Sequence, residues 1–239
     1  MLGEMNVVHS VFFEKWEALG FKTIVEPECI TLVSHIPHWS CNKVLFLHNT
    51  IPPALIATKK RLFFELQLPF SFLVLEEGPM SLPQEMKLTC MERTLASWKA
   101  CQTNAEVIVR KVKSPQEFYE FCLVVDDNFP MSPAAKALYN HHLLQLKEHQ
   151  VLLYTGYIHN DPVSSGMLFL GETYASLYFI GTRFSARGKG AAFSLLQTCL
   201  TEAKERGYTK ASLSATESAR SLYEKVGFEK RMIEMRIRL

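Results

Sequence analysis

The chain has 239 residues, of which 48% are apolar and 21% charged, enough to fill the core of one large or two small domains and inconsistent with an intrinsically disordered chain. Its 26 basic and 24 acidic residues leave a formal net charge of +2, so no long-range field is available to hold nucleic acid or an anionic membrane. The first twenty positions lack a basic segment followed by an apolar core, and Glu4, Glu14, Lys15 and Glu17 interrupt their apolar residues; with no stretch apolar enough to span a bilayer, a cytoplasmic protein is expected.

In chain order, Val8, Phe12, Trp16 and Leu19 recur at three to four residues and predict an amphipathic surface helix. Segments 21–33 and 43–48 read as strands joined through a loop holding Pro37 and Asn42, and a helix fits 54–66, with Lys59, Lys60 and Arg61 on its solvated face. A short apolar run at 71–75 leads to a turn-rich stretch with Gly78, Pro79 and Pro83, and 87–98 is extended again. The polar segment 99–106, with Gln102, Thr103 and Asn104, precedes the β-branched run Val107, Ile108, Val109 and marks an expected boundary between a smaller domain at 1–104 and a larger one at 105–239.

Beyond that boundary the pattern predicts a strand at 107–112, helices at 115–124 and 134–147, strands at 151–158, 163–170 and 175–182, a helix at 189–206, a strand at 210–215, a helix at 218–226 and a strand at 228–238. Several strands adjoin in sequence, so an α+β fold is expected: a mixed, mostly antiparallel sheet flanked by helices on both faces, with one βαβ crossover around 189–206. Six cysteines, Cys29, Cys41, Cys90, Cys101, Cys122 and Cys199, are scattered without a CxxC pair or a metal-like grouping with histidines, so free thiols and no metal are expected.

Chemistry concentrates where the strand 175–182 runs into Arg183-Phe-Ser-Ala-Arg187-Gly-Lys-Gly190-Ala-Ala192 and then a helix. Gly188 and Gly190 allow a tight turn whose unpaired first-turn N–H groups point at an anion, Arg187 and Lys189 add charge-assisted contacts, and Ala191 and Ala192 keep the first turn slim. Phe193, Leu196, Leu200 and Ala203 are expected on its buried side. Neither dinucleotide-loop nor P-loop spacing is present, so a phosphate-bearing ligand of another kind is indicated. A second strand-to-helix passage, Thr216 to Phe228, has Thr216 or Ser218 as cap, Gly227 as stop and Leu222 and Val226 toward the core. Beside them sits Tyr223, whose phenol needs a polar partner if the ring is buried.

The Arg-Gly-Lys-Gly loop followed at this distance by Leu-Tyr-Glu-Lys-Val-Gly-Phe resembles the GNAT superfamily of acyl-CoA-dependent N-acetyltransferases over roughly residues 106–239. The resemblance implies acetyl-CoA as co-substrate and an amine as acceptor. It implies pantetheine pairing along Ile180, Gly181 and Thr182, pyrophosphate held by Ser185, Arg187, Gly188, Lys189, Gly190, Ala191 and Ala192, and Tyr223 facing the sulfur. Ser185 stands where the family usually has Gln or Arg, and Phe184 where Pro is common. The first 104 residues look like the degenerate N-terminal domain of two-domain members, expected to bind no coenzyme.

Glu172 is the candidate general base, Asp126 and Asp127 are helix-end carboxylates, His141 and His142 diverge on a helix, and Cys199 belongs to the core. Transfer of a longer acyl group, transfer onto an amino acid as in glycine N-acyltransferase-like proteins, and a non-catalytic acyl-CoA sensor are the alternatives.

Overall fold

The computed structural model describes residues 2–48, 50–74, 86–145 and 150–238. Helices α1 (Leu2–Phe12) and α2 (Glu14–Ala18) precede strands β1 (Thr23–Val25), β2 (Cys29–Leu32) and β3 (Lys43–Phe46), helix α3 (Pro53–Glu65), and strands β4 (Ser71–Val74) and β5 (Met86–Thr94). Then come β6 (Val107–Lys111), α4 (Pro115–Asn128), α5 (Pro133–Gln145), β7 (Val151–Ile158), β8 (Asp161–Leu170), β9 (Ala175–Thr182), α6 (Ala191–Glu205), β10 (Lys210–Thr216), α7 (Glu217–Lys225) and β11 (Glu229–Arg238). The turn-rich reading of 76–83 and the end of the helix placed at 134–147 lie outside the described residues.

The strands form one eleven-stranded sheet in the order β1-β2-β3-β4-β11-β5-β10-β9-β8-β7-β6. Only β3–β4 and β9–β10 run parallel; every other neighbouring pair is antiparallel. The fold is thus the expected α+β sheet with helices on both faces, and α6 is the crossover between β9 and β10. The last strand, β11, inserts between β4 and β5, so segments from both ends of the chain share one set of backbone hydrogen bonds.

Two apolar cores cover opposite sides of the sheet. One gathers Val8, Phe12 and Trp16 of α1 and α2 with Tyr139, Phe169 and Tyr174; the other packs Leu195, Leu196, Cys199 and Leu200 of α6 with Leu168, Leu213 and Phe228. A third, smaller core holds α3 against β2–β4 through Phe46, Phe63, Phe70 and Phe72. Among the described residues, no helix is long and apolar enough to cross a membrane.

Three local expectations change. The first helix is not a single surface helix: it breaks at Phe13, and Val7, Val8, Val11, Phe12, Phe13 and Trp16 are all buried. The freed carbonyls of Ser10 and Val11 accept from the Tyr178 phenol at 2.8 and 3.0 Å, which anchors this break on β9. Lys59 does not face solvent. It lies one turn from Phe63, is buried, and pairs with Glu26, whose carboxyl that contact holds below its ordinary range. Finally, the stretch 87–98 is a strand only to Thr94; Leu95 and Trp98 then bury as the chain turns onto α6.

Candidate active site

Strands β9 and β10 pair only where Ala175, Ser176 and Leu177 meet Ala211, Ser212 and Leu213. Beyond Leu177 each strand stays with its outer neighbour, β9 with β8 and β10 with β5, and the two diverge. The cause is legible in the register. Met167 faces Tyr178, but Ser165 faces Gly181, so Gly166 alone opposes Phe179 and Ile180. This is a β-bulge on β9, with Phe179 at φ 51°, and a bulge bends its strand and sharpens the local twist. The Ser165 hydroxyl donates to the Phe179 carbonyl at 2.9 Å and fixes the bulged peptide. Gly166 is required opposite it, because a Cβ there would lie 2.2 Å from Leu195 Cδ2 and 2.9 Å from Ile180 Cδ1. The β9 edge from Tyr178 to Thr182 that faces β10 is therefore left without a strand partner.

This open edge ends at the glycine loop. Arg183 donates its backbone N–H to the Val163 carbonyl at 2.9 Å and pairs with Asp127, at the end of α4, at 2.8 Å. Next to it the last turn of α4 lies directly on β9: a Cβ on Gly181 would come within 2.9 Å of Asn128 Cγ. A short 3-10 turn over Phe184–Ala186 follows, with Ala186 buried and Phe184 85% exposed. Arg187 donates to the Thr182 carbonyl at 3.2 Å and lies over the Phe184 ring.

Gly188 and Gly190 both adopt φ 79°, the left-handed region that L side chains rarely enter. Space around Gly188 is open, and a methyl added at Gly190 would have Asn104 Cβ as its nearest neighbour, at 3.7 Å. Gly190 caps α6 without a side chain, so the first-turn N–H groups have no side-chain acceptor. Ser185, Arg187, Gly188, Lys189 and Gly190 are exposed, and neither Arg187 nor Lys189 forms an ion pair among the described residues. Open amides at a helix start, with two cations beside them that form no ion pair among the described residues, are features that favour an anion.

Helix α7 follows β10 and carries Tyr223 into the core shared with Leu195, Leu196 and Val226, edge-on to Phe228. Only 5% of Tyr223 is exposed, and its phenol has no hydrogen-bond partner among the described residues. Burial pushes its pKa up from its ordinary value near 10, so at neutral pH the phenol keeps its proton and can donate a hydrogen bond. Thr216 occupies the cap position but bonds to the Ser218 hydroxyl, at 3.1 Å, rather than to the helix amides.

The structure brings Ile180–Thr182 and Ser185–Ala192 together at one end of β9. It does not bring Glu172 there. That residue is exposed in the turn before β9, its amide donating to the Glu14 carboxylate, and at roughly 3.3 Å per residue the strand separates it from Ile180 by more than about 15 Å. Asp126 pairs with Lys136, so the two adjacent carboxylates divide between α5 and the loop. Among the described residues no histidine, cysteine or carboxylate cluster is placed to hold a metal. Cys199 is wholly buried, and burial pushes its thiol far up, as suits a core residue. Phe193, expected on the buried side of α6, is only half-buried, its place taken by Leu195 and Cys199.

Residues 113–228 match the sequence profile of the Acetyltransferase (GNAT) family. Among solved structures, a GCN5-related N-acetyltransferase from Kribbella flavida superposes with a TM-score of 0.72 at 15% identity, covering 94% of this chain and 92% of that one. A GCN5-related N-acetyltransferase from Sphaerobacter thermophilus gives 0.65 at 14% identity, covering 98% and 91%. A tandem GNAT protein from the clavulanic acid biosynthesis pathway gives 0.54 at 11% identity, covering 88% and 79%. At these identities the likeness is one of fold. No curated protein matches the chain.

Proposed function

We propose, from the match of residues 113–228 to the Acetyltransferase (GNAT) family, that the chain transfers an acetyl group from acetyl-CoA to a primary amine by direct attack in a ternary complex. The observation that carries this reading is the divergence of β9 from β10 at the end where the glycine loop opens. An unpaired strand edge suits an extended amide-bearing arm such as pantetheine, and the amides of α6 lie where that arm's pyrophosphate would end.

In this reading Ile180, Gly181 and Thr182 hold pantetheine through their backbone, while Ser185, Arg187, Gly188, Lys189, Gly190, Ala191 and Ala192 hold the pyrophosphate. Thr182 supports the fit, since its buried hydroxyl has no partner among the described residues. Holding both reactants in one cleft supplies several kcal/mol of the barrier without a covalent enzyme intermediate. The neutral amine forms its bond to the thioester carbon as the carbon–sulfur bond breaks; the amine's surplus proton passes to solvent and the leaving thiolate accepts a hydrogen bond from Tyr223. A phenol donates that bond more readily than a whole proton, because its ordinary pKa exceeds that of a thiol and burial raises it further.

Phe121, Phe129, Tyr139 and Phe179 line a cavity of about 20 Å³ between α4 and α5, room for about one water and too small for the acceptor. We assign 1–104 as a degenerate half that binds no coenzyme and walls the cleft; the docking of α1 and α2 on β9 supports this role. Calorimetric titration with CoA, acetyl-CoA and a longer acyl-CoA tests the reading, with Gly190→Glu and an Arg187→Ala/Lys189→Ala variant alongside. Saturable binding lost in Gly190→Glu and weakened in the double variant is the expected result; a folded wild-type protein that binds none of the three would overturn it. Binding without turnover across an amine panel would leave the acyl-CoA sensor instead.

A further inference from the structure

The segment between β5 and β6 is not a free linker. It runs antiparallel along α6 and is fastened at successive turns: Lys204 Nζ donates to the Trp98 carbonyl at 2.7 Å, the Trp98 indole N–H to Thr201 Oγ1 at 3.4 Å, and the Cys101 amide to Gln197 Oε1 at 2.8 Å. Residues 197, 201 and 204 share one face of α6, which sets the path. The strap ends at Asn104, whose Nδ2 donates to the Lys189 carbonyl at 3.0 Å while its Oδ1 accepts from the Glu106 amide at 3.0 Å. These two bonds together fix the orientation of the side-chain amide.

We infer that Asn104 is a positioning residue for the coenzyme loop, setting the Lys189–Gly190 peptide so that the loop meets a pyrophosphate ready-formed. This rests on the coenzyme reading of that loop. In a trans peptide the carbonyl and the next N–H point in opposite directions. Holding the Lys189 carbonyl toward the strap therefore turns the Gly190 N–H away from it, to the open side of the loop. One of the two torsions that reorient this peptide belongs to Gly190, at φ 79°, where a residue without a Cβ turns freely, so an external bond helps select its direction. The strap thereby couples the end of β5, in the first half of the chain, to coenzyme affinity.

Two variants separate this role from the turn that Asn104 also builds. Asn104→Asp keeps an acceptor for Glu106 but cannot donate to Lys189; Asn104→Ser keeps a short acceptor, without added charge, and cannot reach the Lys189 carbonyl. The readouts are the CoA dissociation constant, ¹⁵N order parameters at Gly188, Lys189 and Gly190 in the ligand-free protein, and the thermal midpoint. Loss of one net hydrogen bond predicts a CoA Kd raised between about two- and ten-fold in both variants. Order parameters should fall from the rigid range near 0.85, while the midpoint moves by no more than about 6 °C. Weakening confined to Asn104→Asp would assign the effect to its charge and overturn the inference, as would an unchanged Kd in both. If the wild-type protein binds no CoA, the coenzyme reading fails by itself. The order parameters then decide alone whether Asn104 sets the loop, unchanged values refuting it.

Discussion

Replacing Tyr223 by Phe separates catalysis from stability in a way the structure makes quantitative. The phenol has no hydrogen-bond partner among the described residues, and the ring keeps its packing against Phe228 and the α6 side chains. Removing one oxygen therefore breaks no protein hydrogen bond, and the folding free energy should change by less than about 1 kcal/mol, or roughly 2–4 °C in midpoint for a chain of this size. Tyr223→Ala, by contrast, empties a buried aromatic site and should cost about 3–5 kcal/mol. Against this, a hydrogen bond to a developing thiolate is worth about 1.5–3 kcal/mol, a ten- to 150-fold loss of kcat in Tyr223→Phe with CoA affinity preserved. The raised pKa also fixes the pH behaviour. Because the folded value lies above the unfolded one, the neutral phenol's contribution to stability is complete below about 10 and is lost as pH climbs through the folded value. The assay is steady-state acetyl transfer beside thermal denaturation and CoA calorimetry. A Tyr223→Phe protein with unchanged kcat, or one that loses activity only in proportion to its folded fraction, would refute the role.

Gly166→Ala should destabilise by about 1–3 kcal/mol, since the new methyl overlaps Leu195 and Ile180, and should weaken acetyl-CoA binding by shifting the bulge; denaturant unfolding and calorimetry measure the two effects. Ser114→Ala removes the hydroxyl that accepts from the Glu117 amide in the capping box of α4 and should cost about 1 kcal/mol in chemical denaturation. The Lys113 amide and the Ser114 hydroxyl and amide hold the Glu117 carboxyl below its ordinary 4.5, so the stability it contributes is present above that pH and lost as pH falls through its folded value; a midpoint-against-pH series in wild type and Glu117→Gln checks the sign. Of the six free cysteines only Cys101 is exposed, and burial pushes Cys122 up to about 11, so a thiol reagent at pH 8 should find one fast equivalent in the native protein and the remainder after denaturation.

The elements whose signals lie within a few residues were legible in the sequence. Strands β7 and β9 and the helix–strand alternation of the second half follow its periodicity, and the left-handed glycines at 188 and 190 follow from a strand running straight into a helix. Even the burial of Lys59 was available in principle, because it stands four residues before Phe63 on the same helical face, but the Glu26 that neutralises it comes from a distant turn. The Phe-Ile pair at 179 and 180 carries no local mark of a bulge. It exists because β8 supplies a single glycine opposite two residues, and because Leu195 of a later helix needs the space.

Short stretches of sequence thus set the local backbone: where helices start and stop, which face of each is apolar, and where an anion would find unpaired amides. The insertion of β11 between β4 and β5, the divergence of β9 from β10, the seating of α4 on Gly181 and the bond from Asn104 to Lys189 arise only in the closed fold. Caps, turns and periodicity depend on torsions and neighbours within one or two turns of chain, whereas these features depend on which distant segments share hydrogen bonds and volume, a choice made only when the whole core closes.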